Sequence, residues 1–411
     1  MAAERGHFWR RISGGGTLTE LSSTVPLQVL WESWLDQRQP PVTYPDLRIE
    51  REDIPLSRQR QEQLQLFFGW WTEQKIKAAN PLHERMVDFW RDHLTVSARM
   101  GPVTALLDYE QRLRTHALGD FQDLLWSVST SPMMLIYLNN GTNRRGRLNE
   151  NFSREVLELF TVGPGHYSER DIQEGARALT GWQIVRTEGG VSSQFVPQRH
   201  DAGIKTYLGQ TGAWRPEDVI EMLANHPATG QRLGRKLWSE LVYPNPEPEI
   251  VAQLADVYQG SRRQIPAVLA AILSHPQFFS AKAYRSRVRS PQEFLMGSLR
   301  ALEIGFDPQK VRTSLRHMGN HPYGAATVKG WPDSWITSTS LVNRLSVAQQ
   351  LTEDWGDDGG FTFEPSRFSQ QDLLEVLLDG EMPGAIAQDL PRLERREQAA
   401  VLLASPLYQL L

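Results

Sequence analysis

The chain has 411 residues, enough for two or three average domains or one large one. Hydrophobic residues at 40% and charged residues at 22% describe an ordinary globular protein, and a formal charge of -4 gives no overall attraction to nucleic acid or an anionic membrane. Cysteine is absent, which excludes disulfides, thiolate nucleophiles and cysteine-held zinc or iron–sulfur centres while leaving the redox compartment open.

Residues 1 to about 50 read as irregular, with one amphipathic piece near Val25 to Leu35 and a proline-rich stop from Gln39. They are expected to form an arm packed on a single large domain spanning 51–411. The basic start from Met1 to Arg11 has no apolar run behind it, so no secretory signal is expected. The default compartment is then the cytoplasm, with the periplasm or envelope as the alternative. No stretch approaches about eighteen consecutive apolar residues, so no membrane span is expected.

Leu64, Phe67, Phe68 and Trp71 lie three and four apart, which predicts a helix over Arg58–Ala78. Asn80 followed by Pro81 is a cap with a proline in first helical position and opens the next helix. In that helix His93 follows the spacing of Met86, Phe89 and Trp90, so it is expected to point inward. It serves there either as a hydrogen-bonded core histidine or as a substrate contact. Asp108–Leu138 reads as two further helices, broken by Gly119-Asp120 and by Ser131-Pro132.

The stretch from Asn149 to Lys205 concentrates side chains of catalytic type. Asn149 or Asn151 is expected to cap a helix running to about Val162, stopped by Gly163-Pro-Gly. Phe152, Val156, Leu159 and Phe160 form its apolar face; Asn151, Arg154, Glu155 and Glu158 share the other. Ser168 and Asp171 read as a capping box for a second helix, whose polar side carries Asp171, Glu174 and Arg177. Gln183–Thr187 and Val191–Val196 alternate around Glu188-Gly-Gly, the one clear β-hairpin signal in the chain. His200, Asp201 and Lys205 follow on its exit. From Thr211 onward helical spacing returns, with a Gly/Trp-rich segment from Met318 to Trp335 and an acidic loop from Glu353. The fold class expected is mostly α, a multi-helix globular bundle with one small β-hairpin insertion.

Asn149-Glu-Asn-Phe-Ser-Arg-Glu-Val-Leu-Glu-Leu, Gly165-His-Tyr, Asp171-Ile, Ala176-Arg-Ala-Leu-Thr-Gly-Trp182 and His200-Asp-Ala-Gly-Ile-Lys205 resemble the motifs of the bacterial family known as domain of unknown function 1800. The resemblance extends to Phe89-Trp-Arg-Asp-His-Leu and to Met318–Trp335, and so covers the chain from about residue 50 to its end. Arg91 stands where the family's aromatic helix has its first histidine, so a two-histidine site cannot be carried over there; Ala325-Ala326 stands where Pro-Pro is usual. The family's name supplies a fold and a site but no activity. Its members often look exported and lie beside sulfatase-like proteins, which implies a sulfatase-like partner and an envelope or polysaccharide setting.

Two function classes are carried forward. In the first, the chain is an enzyme performing metal-assisted hydrolysis or acid–base chemistry on an anionic or polyhydroxylated, glycan-like substrate. His200, Asp201, Lys205, Glu155, Arg154 and Arg177 are its expected catalytic residues. Asn149, Asn151, His166, Tyr167, Trp182 and His93 are its expected substrate contacts. Glu155, Glu158, His200 and Asp201 are ligands of the kind that hold Mg, Mn or Zn, and a divalent ion is the expected cofactor. In the second, the same residues are a structural network, closed by Trp182 and Trp331, in a non-catalytic binding or assembly partner.

Overall fold

Local capping rules place many of the element boundaries. Asn80 Oδ1 accepts from His83 N at 2.9 Å, and with Pro81 behind it the helix Pro81–His93 begins where the cap dictates. The Ser168–Asp171 capping box forms at the start of Glu169–Ala178. The computed structural model describes residues 2–37, 41–47, 55–188, 190–331, 335–354 and 360–411. Residues 39–40 of the proline-rich stop, Gly189 of the hairpin turn, residues 332–334 of the Gly/Trp-rich segment and residues 355–359 of the acidic loop lie outside them.

The described residues form 19 α-helices and three small antiparallel two-stranded sheets, so the protein is mostly α. The expected helix over Arg58–Ala78 is Leu56–Lys77, and the segment from Asp108 contains parts of three helices, Val103–His116, Phe121–Ser129 and Pro132–Tyr137. The expected hairpin pairs Trp182–Thr187 with Gly190–Phe195, in the register Trp182 to Phe195. It is not alone. Lys205–Tyr207 pairs with Gln210–Gly212, and Gly305–Phe306 with Phe361–Thr362.

The N-terminal residues depart from the irregular arm expected. They form the helices Ala2–Ser13, Leu18–Ser22 and Leu27–Asp36. Phe8, Trp9 and Ile12 are buried in the core, which holds the first helix in place although its composition carries no strong helical stripe. Gly14, at φ +79°, ends it, and its carbonyl oxygen lies 2.4 Å from where a Cβ on Gly297 would stand, so both positions require glycine. Buried side chains fall into two clusters. One is built mainly from residues 8–283, and the other from Trp71 and residues 294–408.

Between these clusters runs a buried ion network. Glu110, fully enclosed, accepts from Arg91 Nη2 at 2.9 Å, from Arg114 Nε at 3.0 Å and from the Tyr323 hydroxyl. Arg91 also pairs with Asp88 and lies 5.2 Å over the Tyr323 ring, while Arg114 reaches Glu84. The arginine at the family's histidine position is thus an ion-pair partner that ties the aromatic helix to the Gly/Trp-rich segment through Tyr323.

Candidate functional site

The helix opening the central stretch is not a regular α-helix. Asn151–Glu155 is α-helical and Val156–Phe160 continues as a π-helix, closed by Gly163 N donating to Leu157 O at 2.8 Å. Such widened turns occur frequently at functional sites, because they offset the side chains that follow and loosen the hold on the last carbonyls. Here two of those carbonyls take side-chain donors: Arg232 Nε donates to Leu159 O at 3.3 Å and His93 Nε2 to Phe160 O at 2.9 Å. The helix is preceded by Glu150, which makes no side-chain cap, correcting the expectation that Asn149 or Asn151 would cap it. Asn149 contributes one step earlier, its Oδ1 accepting from Asn151 N at 3.0 Å.

Along this helix runs a row of charge. Glu155 and Glu158 are both half-buried and close enough to interact. Burial, and next the charge of Glu158, raise the Glu155 carboxyl above the ordinary carboxylate range, against Lys329 and Arg154. The Tyr167 hydroxyl is pushed up by burial and then by Glu158. Arg232 lies beside Glu158 and Tyr167 in turn.

Arg232 is also a wall of a cleft of about 280 Å³, lined with it by His166, Arg235, Lys236 and the Gly163-Pro164 turn. Ala228 and Gln231, on the same side of the 15-residue helix Pro227–Leu241, complete the rim. His166 is exposed and meets His226 edge-on at 6.1 Å. His93 stands behind the cleft: its Nδ1 accepts from Lys236 Nζ at 2.9 Å. Burial and then Lys236 and Arg232 hold its pKa well below 6.5, so it is neutral and keeps Lys236 in place.

The cluster on the hairpin exit is a different object. Lys205 starts a strand and is buried; its Nζ donates to Gly203 O and to Trp214 O, each at 2.9 Å. Asp201 accepts from Arg177 Nε at 2.8 Å and Gly203 N at 2.9 Å, and Arg177 Nη1 reaches Glu174 at 2.7 Å and Ile204 O at 3.2 Å. His200 is buried, with Nδ1 3.1 Å from Thr180 O, which as a pure acceptor places the proton on Nδ1. Its Nε2 is enclosed without a partner, and burial lowers its pKa. Asp201 points at Arg177 and not at His200, so it does not set up His200 as a general base.

The side chains gathered in the sequence therefore divide. Glu155, Glu158, Tyr167 and His166 fall along one row, with His93 behind it. His200, Asp201, Lys205 and Arg177 fall in the network of the hairpin exit. Arg154, expected among the catalytic residues, pairs with Glu169 at 2.8 and 2.9 Å on the surface. Trp182 packs on Trp126 and Phe195 at 5.9 and 5.7 Å, whereas Trp331 lies 5.9 Å from Trp335, so the two do not close one network. Asn151 is exposed. Among the described residues no three His, Asp or Glu side chains come close enough to hold a metal ion, and the four expected ligands are split between the two places.

Arg232, Arg235 and Lys236 were not singled out from the sequence. Their spacing of three and four puts them on one helical face, a signal the sequence does carry, although nothing local ties that face to His166.

Among the described residues no helix is long and apolar enough to cross a membrane. No curated protein and no solved structure matches the chain. Residues 7–410, nearly its whole length, match the family model described as Protein of unknown function (DUF1800), and the chain belongs to that family.

Proposed function

We propose that the row Glu155, Glu158, Tyr167 and the basic cleft beside it form a site for acid–base chemistry on an anionic or polyhydroxylated substrate. The observation that supports this most is a half-buried carboxyl, Glu155, with a raised pKa next to a second carboxylate, Glu158, which in turn faces Arg232 on the wall of the cleft. Burial and like charge are what keep one carboxyl of a pair protonated as a donor while its neighbour accepts. The cleft receives the substrate's negative or hydroxyl-rich end through the charged donors Arg232, Arg235 and Lys236. Glu155 is the proton donor, Glu158 the acceptor, and Tyr167 borders both. The hairpin-exit network of His200, Asp201, Lys205 and Arg177 is structural in this reading, because its charged groups are taken up by one another and by backbone carbonyls.

The experiment is a carboxyl-carbon NMR titration of Glu155 in the wild type and in Glu158→Gln. A Glu155 pKa above the usual 4.5 that falls in the variant supports the paired site. An ordinary value unchanged in the variant removes it. Hydrolysis of chromogenic phosphate, sulfate and uronic-acid esters and glycosides by the wild type and Glu155→Gln then addresses the reaction. Adding Mg, Mn or Zn in parallel tests whether substrate oxygens complete a metal site on the two carboxylates.

A further inference from the structure

The Gly/Trp-rich segment, whose Lys329 faces Glu155, also forms one wall of a larger cleft of about 540 Å³. Its lining includes Arg60, Arg99, Arg312, Arg316, His321 and Trp331, and no Asp or Glu among the described residues. Cations gathered without carboxylates repel one another, so the arrangement calls for a partner of opposite charge.

Arg60 and Arg312 are held by groups other than an acid. Arg60 Nη1 donates to Gly101 O at 2.7 Å and its Nη2 to Ala98 O, clasping the turn that carries Arg99. The same turn is pinned from the other side by Ala98 N donating to Tyr323 O at 2.9 Å. Arg99 itself is exposed and makes no ion pair with a described carboxylate. Arg312 and Arg316 lie one turn apart on the helix Pro308–His317. His321 Nδ1 donates to Pro322 O at 2.8 Å, which leaves its Nε2 to accept from Arg312 Nε at 3.1 Å. The Arg312 guanidinium lies 4.8 Å over the Phe68 ring. Its two terminal nitrogens make no hydrogen bond to a described residue and are not sealed in the interior. A neutral histidine and an aromatic face thus orient a fork whose two free ends are open to solvent, the geometry that receives oxyanions in pairs.

We propose that this cleft binds a small, multiply charged oxyanion, a phosphate ester or polycarboxylate whose charged groups lie on Arg99, Arg312 and Arg316 and whose remainder rests against Trp331. The volume falls in the range of small-molecule sites, about 300–1,000 Å³. Its lining shares no residue with the Glu155 row or the cleft beside it, and the proposal does not depend on that site.

Isothermal titration of the full chain with sodium pyrophosphate and, separately, with trisodium citrate tests the proposal and distinguishes phosphate from carboxylate recognition. Saturable binding of at least one is expected, with quenching of tryptophan fluorescence that is reduced in Trp331→Phe. Arg99→Ala and Arg316→Ala alter exposed side chains that support no other part of the fold, and each weakens binding about tenfold or more. The double variant abolishes it, while Arg235→Ala in the other cleft leaves it in place. Absence of saturable binding up to about 10 mM overturns the proposal, as does binding that survives the double variant or is lost only with Arg235→Ala.

Discussion

Replacing Lys205 with methionine separates a structural network from a catalytic one. The substitution keeps the length and apolar stem of the side chain and removes only the ammonium, whose two hydrogen bonds tie Gly203 O to Trp214 O across the second hairpin. Hydrogen bonds from a charged donor contribute about 1.5–3 kcal/mol each. Both carbonyls lie near the surface and recover part of that from water, and the ammonium no longer has to be desolvated, so the net loss is about 2–3 kcal/mol. With an unfolding entropy of about 2.1 cal/mol/K per residue over 411 residues, this lowers the melting temperature by about 3 °C. Differential scanning calorimetry measures the shift, and ligand binding is measured well below the transition. A melting temperature within about 1 °C of wild type together with lost binding refutes the structural assignment of Lys205.

Glu110→Gln leaves Arg91 and Arg114 short of a buried countercharge and is expected to cost about 3–5 kcal/mol in urea unfolding. Burial alone would raise the Glu110 pKa, but Arg91 and Arg114 hold it down. Its contribution is therefore present above the unfolded value of 4.5 and lost as pH falls through the lower folded value. His7 and His321 also lose stability as pH falls, over a higher interval that begins at the unfolded histidine value. Burial first, then neighbouring arginines, push them to about 3 and about 4. The unfolded chain takes up protons at 6.5 that the folded chain refuses, so each costs about 2 kcal/mol of stability by about pH 5. Thermal melts across that interval show a shallower acid slope for His7→Gln, and equal slopes contradict the assignment. Gly175→Ala places a Cβ 2.5 Å from Ser153 Oγ and 2.8 Å from the Tyr207 ring. It should destabilise by about 1–3 kcal/mol despite the better helix propensity of alanine.

What could be read in the sequence was mostly what is local. The Asn80–Pro81 start and the Ser168–Asp171 box are complete within four residues, and the hairpin's alternation gives its pairing directly. The helix Ala2–Ser13 escaped notice because its stability comes from distant packing of Phe8, Trp9 and Ile12. The π-helix escaped for another reason: five residues with one extra per turn leave the apolar spacing of Val156, Leu157 and Phe160 nearly unchanged.

The site divided along the same line. His200-Asp201 and Lys205 looked catalytic because a loop after a hairpin offered them no packing partners. The carbonyls of Thr180, Gly203 and Trp214 are those partners, and carbonyls are invisible to side-chain pattern. The contacts that assemble the row, Arg232 to Leu159 O and His93 to Lys236, join residues 73 and 143 positions apart. Nothing at those separations is encoded in local spacing.

The central claim is that chemistry in this chain resides on the Glu155 row and not on the hairpin exit. The most direct measurement screens one panel of phosphate, sulfate and uronic-acid compounds, by thermal shift and turnover, against the wild type, Glu155→Gln, Arg235→Ala and Lys205→Met. The account predicts a compound whose turnover is lost in Glu155→Gln and whose binding is weakened in Arg235→Ala, with both retained in folded Lys205→Met. Turnover that survives Glu155→Gln and disappears in Lys205→Met contradicts it.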